Sequence, residues 1–119
     1  MRMANWLGGV VLAVGLAGPV LAQPIVLEEL DRTQGINLLL TLVRVEIAAQ
    51  NCPNLTVAKQ HSDIVHEKLV ALATQLEIDD AELTGRFVGR GQRSYQADNK
   101  KFCDNWGPQV RPVAVALLE

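Results

Sequence analysis

The chain predicts an all-α fold, a small bundle of three main helices plus short terminal elements and one disulfide. Apolar residues recur at helical spacing through its longest segments, and no strand-like alternation lies between turn signals. No internal repeat or low-complexity tract points to a solenoid or a disordered chain. A bundle is the architecture these absences leave.

The element around which the rest is organised lies in residues 35–53, GINLLLTLVRVEIAAQNCP. As a helix it aligns Ile36, Leu39, Leu40, Val43 and Ile47 on one face, while Leu38, Leu42 and Val45 cover much of another. A helix apolar on more than one side needs neighbours on both flanks. Arg44 and Glu46 interrupt it, so the stretch is too short and too polar to span a bilayer. Asn51, able to adopt the left-handed conformation, and Pro53, unable to continue a helix, mark its end beside Cys52.

With 119 residues the chain has the length of one domain. Residues 1–22 read as a signal peptide: Arg2 forms a basic start, an apolar run extends from Trp6 through Leu16, and Val20-Leu21-Ala22 supplies a small-residue cleavage site. The rival is an uncleaved signal anchor; Gly15, Gly18 and Pro19 favour cleavage. Residues 23–119 then form a single helical domain with no transmembrane segment. Cleavage removes Arg2 alone among the charges, taking the formal net charge from −2 to −3. A mildly acidic chain has no electrostatic footprint for nucleic acid.

Export decides how the cysteines are read, because thiols leaving the cytoplasm enter a compartment where disulfides persist. Cys52 and Cys103 are the only two. Their bond closes a loop worth about 4 kcal/mol in the chain-entropy picture. Without CxxC or CxxCH, a redox couple or haem attachment is the poorer reading.

Around the central helix, residues 23–31 form an acidic lead-in, a short helix or a frayed start, and Thr33 is placed to cap the central helix itself. Thr56 is placed to cap a second helix reaching about Leu76, with Val65, Leu69, Leu72 and Leu76 as its stripe. Asp79 and Glu82 make a start resembling a capping box for a third helix over about residues 81–105. Leu83, Phe87, Tyr95 and Phe102 share its broad apolar face; Gly85, Gly89 and Gly91 predict a kink or close helix contact near residues 89–91. Gly107 and Pro108 stop it, and residues 110–118 form a short helix or an extended segment.

The chemistry-bearing residues are few. His61 and His66, five apart, point about 140° away from each other on a helix, and neither HExxH nor a zinc-spaced cysteine cluster accompanies them. No nucleophile elbow, phosphate loop or dinucleotide fingerprint is present, so no cofactor or catalytic residue is expected and the chain reads as a non-enzyme. Asn54-Leu55-Thr56 has the form of an N-glycosylation acceptor, but Thr56 as a helix cap accounts for it. The main surface feature is a basic stripe on the third helix, Arg86, Arg90, Arg93, Lys100 and Lys101. Such a stripe can meet anionic lipid, an acidic protein or another polyanionic envelope component; its bland reading is a solvated face balanced by Glu82, Asp98 and Asp104.

The Asn51-Cys52-Pro53 helix ending, the later Cys103 and the Asp79-Asp80-Ala81-Glu82 helix start resemble small exported alphaproteobacterial proteins in a domain family of unknown function. The resemblance covers about residues 36–106 and implies a compartment and a helical fold, with no activity or functional residues to carry over. The one-disulfide helical architecture is also similar to periplasmic acid-stress chaperones, which loosen at low pH and expose apolar surface. The expected function is therefore a small binding or envelope-accessory protein of a bacterial periplasm. The alternatives are an acid- or stress-responsive holdase and, thirdly, a hydrolase or metal enzyme using His61 or His66.

Overall fold

The computed structural model describes residues 25–53 and 59–118. The predicted signal peptide, the Asn54-Leu55-Thr56 tripeptide and the Thr56 cap lie outside them. A 3-10 turn, Leu27–Glu29, leads into α1 (Arg32–Asn51), followed by α2 (Lys59–Gln75). A third segment starts as one turn, α3 (Asp80–Glu82), widens into a π-helix (Leu83–Val88), tightens into α4 (Gly89–Ala97) and resumes beyond Asp98 as α5 (Asn99–Trp106). The 3-10 turn Gly107–Gln109 joins it to α6 (Val110–Leu118). The described residues are thus all-α, with four helical segments where the sequence predicts three.

The fourth is the tail. Pro112 falls in the first turn of α6, where backbone N–H groups have no intrahelical acceptor to lose, so the residue that makes the tail ambiguous in sequence is compatible with a helix start. Val110, Val113, Ala114 and Leu117 then recur at helical spacing and are all buried.

Helix α1 is the central element. Leu39, Leu42, Val43, Val45, Ile47 and Ala48 are buried, and the helix packs on α2, the π-helix, α4, α5 and α6. Buried faces on several sides explain why its apolar pattern is broad rather than one stripe. Val65, Leu69 and Leu72 of α2 meet it from one flank and Phe87 and Phe102 contribute to the same core from the third segment. Burial of each such side chain contributes about 1.5–3 kcal/mol over leaving it exposed.

The helix ends depart from expectation in three places. Asp31, not Thr33, caps α1: its carboxylate accepts from the Gln34 backbone N–H at 2.8 Å, and the Gln34 side chain accepts from the Asp31 N–H at 3.0 Å. That reciprocal pair satisfies two donors, which a cap at Thr33 cannot match inside an already formed turn. At the other end Asn51 stays helical, its side-chain amide donating to the Ile47 carbonyl at 2.8 Å, and Cys52 is the extended residue that ends α1. The left-handed residue is instead Glu77, at φ 60°, after α2. Its N–H donates to Thr74 and that of Ile78 to Ala73, the paired bonds of a Schellman closure.

Third, the long helix breaks at Asp98 and not at residues 89–91. Asp98 is extended at φ −160° and ψ 92°, its carboxylate accepts from the Lys101 N–H at 3.1 Å, and it thereby caps α5. Asn99 donates back to the Tyr95 carbonyl at 2.6 Å, covering an acceptor at the end of α4. Gly91 marks close contact rather than a kink. A Cβ there would stand 2.7 Å from Ile47 Cδ1 and 3.1 Å from Val43 Cγ1, so the bare backbone lets α4 lie directly on α1.

Long-range hydrogen bonds to backbone carbonyls tie the ends together. Arg32 Nη1 donates to the Leu76 carbonyl at 2.9 Å, Gln75 Nε2 to the Leu27 carbonyl at 2.8 Å, and the Ile25 N–H to the Ala116 carbonyl at 3.1 Å. Cys52 and Cys103 are disulfide-bonded across 51 positions, with Cα atoms 5.6 Å apart, which fastens the end of α1 to α5.

Candidate functional site: a basic cleft between α1 and the third segment

The five predicted stripe residues do not act as one row. The extended residue at 98 separates Arg86, Arg90 and Arg93 from Lys100 and Lys101. Arg86, on the π-helix, is ion-paired with Glu82 at 2.9 Å, and Lys100 with Asp104 at 2.8 Å. The hydrogen bond from Lys100 to Asp104 holds its pKa above the ordinary lysine value. Both pairs join residues four apart on an exposed surface, and they neutralise their part of the stripe locally. Among the described residues no such carboxylate partner accompanies Arg90, Arg93 or Lys101 within 4.0 Å.

Arg90 meets a cation that the stripe leaves out. The close approach at Gly91 brings α4 against α1 where Arg44 lies, and Arg44 Cγ is 4.0 Å from the place a Gly91 Cβ would occupy. The half-buried Arg44 side chain folds back along its own helix, donating from Nη1 to the Leu40 carbonyl at 3.3 Å. Burial first, and the like charge of Arg90 second, lower the Arg44 pKa from its ordinary value. The two arginines, with Leu40, Thr41 and Trp106, line an open cleft of about 320 Å³. Phe102 supports the indole from behind, its ring centre 6.4 Å away, and Tyr95 meets Phe102 edge-on at 5.5 Å.

Arg44 reads in sequence as an interruption of an apolar helix, and Trp106 as the last residue before a stop. Their convergence needs the tertiary contact at Gly91. The glycine itself, with an arginine on each side at residues 90 and 93, is the signal that points to it.

A second cleft lies between α1 and α2, about 680 Å³, lined by Glu46, Gln50, Ser62, Asp63, His66, Glu67 and Val70. Here His66 Nδ1 and Glu46 Oε2 form a contact of 2.5 Å, while Lys59 pairs with Asp63 at 2.9 Å. His61 does not join them; it is partly buried, and its Nδ1 has no hydrogen-bond partner. Among the described residues no three His, Cys, Asp or Glu side chains converge as metal ligands, and no helix is long and apolar enough to cross a membrane.

The class the fold and cleft define is a small disulfide-stapled helical protein with a paired-arginine surface cleft. No family model, curated protein or solved structure matches the chain.

Proposed function

We propose that the chain is an exported, non-enzymatic binding or envelope-accessory protein of a bacterial periplasm, and that its basic face docks on an anionic component of the envelope. The observation that carries this reading is the pairing of Arg44 and Arg90 in one cleft whose lining holds no carboxylate. Two like charges held together without a counter-ion raise the local potential and leave it to be met by something else. Arg93, three residues beyond Arg90 on α4, is a further cation of this face, with no carboxylate partner within 4.0 Å among the described residues. The chain as a whole is acidic, so attraction to an anion comes from this face and not from net charge. Export is supported by the pattern of residues 1–22 and by the disulfide, which persists in oxidising compartments. The resemblance to exported alphaproteobacterial proteins of unknown function points to the same compartment.

Sedimentation with phosphatidylglycerol vesicles, against neutral phosphatidylcholine, tests the docking. Wild type is expected to pellet with the anionic vesicles and to be released by salt. The triple reversal R90E/R93E/K101E is expected to stay in solution, while R86E, whose arginine Glu82 already neutralises, loses little. Equal pelleting of wild type and the triple variant would show that the basic face does not dock.

A further inference from the structure

Resting on that reading of the basic face, we propose that the cleft between Arg44, Arg90 and Trp106 is a binding site for the phosphate group of a phosphomonoester. The charges match first. Two arginines line one open volume, and a phosphomonoester near neutral pH carries about −1.5 to −2, whereas a carboxylate carries one charge and satisfies one fork. Guanidinium forks also suit three phosphate oxygens better than two ammonium points would.

The walls match second. Leu40 and Trp106 flank the two cations, giving the carbon side of an ester an apolar surface while its oxygens face the arginines. The volume of about 320 Å³ suits a small ligand or one end of a larger one. The Thr41 hydroxyl donates to the Asn37 carbonyl at 3.1 Å, so the two arginines are left as the charged donors of the cleft.

One arginine and the indole are placed before a ligand arrives, while the exposed Arg90 side chain is free to close on it. Arg44 is anchored to Leu40, and Trp106 is braced by Phe102 within a segment tied to α1 through the Cys52–Cys103 bond. An anion entering there offsets a repulsion that folding has already brought about. Arg90 is accordingly expected to oppose stability in the free protein and to favour binding.

Trp106 also reports on the site. The chain has two tryptophans, Trp6 and Trp106, so in a W6F full-length protein Trp106 is the sole emitter however residues 1–22 are processed. Phenyl phosphate titrated into this protein is expected to change the Trp106 emission saturably. Affinity is expected to fall roughly ten- to a hundredfold in R90Q, the range of one lost charge-assisted bond, and to stay near wild type in K101Q, outside the cleft. The exposed R90Q side chain leaves the core untouched, and in low salt its melting temperature is expected to rise. A parallel fall in R44Q, with far-UV circular dichroism unchanged, places the second fork.

Benzoate binding as tightly as phenyl phosphate, or an R90Q variant binding like wild type, overturns the assignment, as does no response to either phenyl phosphate or inorganic phosphate. Phosphatidic acid vesicles separate the sources: pelleting competed by phenyl phosphate assigns the site to a lipid headgroup, and saturable binding of phenyl phosphate without pelleting assigns it to a soluble ester. If R44Q still pellets with phosphatidylglycerol while R90E/R93E/K101E does not, and phenyl phosphate is silent, the cleft proposal falls and the docking face stands. Silence in every arm removes both.

Discussion

At the scale of single residues, two glycines of the third segment behave oppositely, although both lie within helical turns. Gly85 has nothing within 4 Å of the position a methyl group would take, so G85A is expected to raise stability by roughly 0.5–1 kcal/mol, the ordinary helix preference of alanine. Gly91 faces Ile47 Cδ1 at 2.7 Å and the stiff Val43 at 3.1 Å. Overpacking of this kind costs about 1–3 kcal/mol, which outweighs the same preference, so G91A is expected to destabilise by roughly 1 kcal/mol. Urea unfolding of the two variants beside wild type checks the opposite signs. Gly91 also matters to the cleft, because any separation of α4 from α1 moves Arg90 away from Arg44.

At the scale of elements, α2 ends on a residue poorly suited to its place. Glu77 holds the left-handed position at φ 60° that glycine occupies without penalty, at a cost of about 1–2 kcal/mol for a side chain. Glycine in turn loses more chain entropy on folding, about 0.5–1 kcal/mol, so E77G is expected to gain a net roughly 0.5–1 kcal/mol. Its thermal midpoint measures the gain. The same scale shows what is legible in the sequence. Breadth of apolar pattern in α1, the stripe of α2 and the Asp79 cap follow from residue spacing alone, and Asp79 does accept from the Glu82 N–H at 2.8 Å. The break in the third segment is not legible there, because three glycines outweigh one aspartate in a local reading. In the fold, Asp98 wins: it both ends α4 and supplies a capping carboxylate, whereas the glycines at 89 and 91 remain helical against a neighbour. The basic stripe illustrates a further limit. Its members can be counted in the sequence, but which of them are neutralised depends on Glu82 and Asp104, and its most informative partner, Arg44, sits about fifty residues away on another helix.

At the scale of the whole molecule, the disulfide encloses α2, α3, the π-helix and α4 in one covalent loop. Severing it with a C52A/C103A double variant is expected to cost about 4 kcal/mol, a large part of what a domain of this size has to spare. Denaturant titration of the oxidised wild type, the reduced wild type and the double variant should group the last two together. Two curves that coincide with the oxidised wild type would show that packing around α1 alone holds the bundle. The described lead-in and α6 lie outside that covalent loop, so they rely on packing and on their own hydrogen bonds.

The bond between the Ile25 N–H and the Ala116 carbonyl brings the two ends of the described chain side by side. Residues 25 and 116 therefore mark one pole of the described molecule. A tether there, whether an affinity label or a surface anchor, holds the protein by that pole alone and sets which way the arginine cleft can turn. Orientation on a support is thus written into the fold by a single main-chain contact.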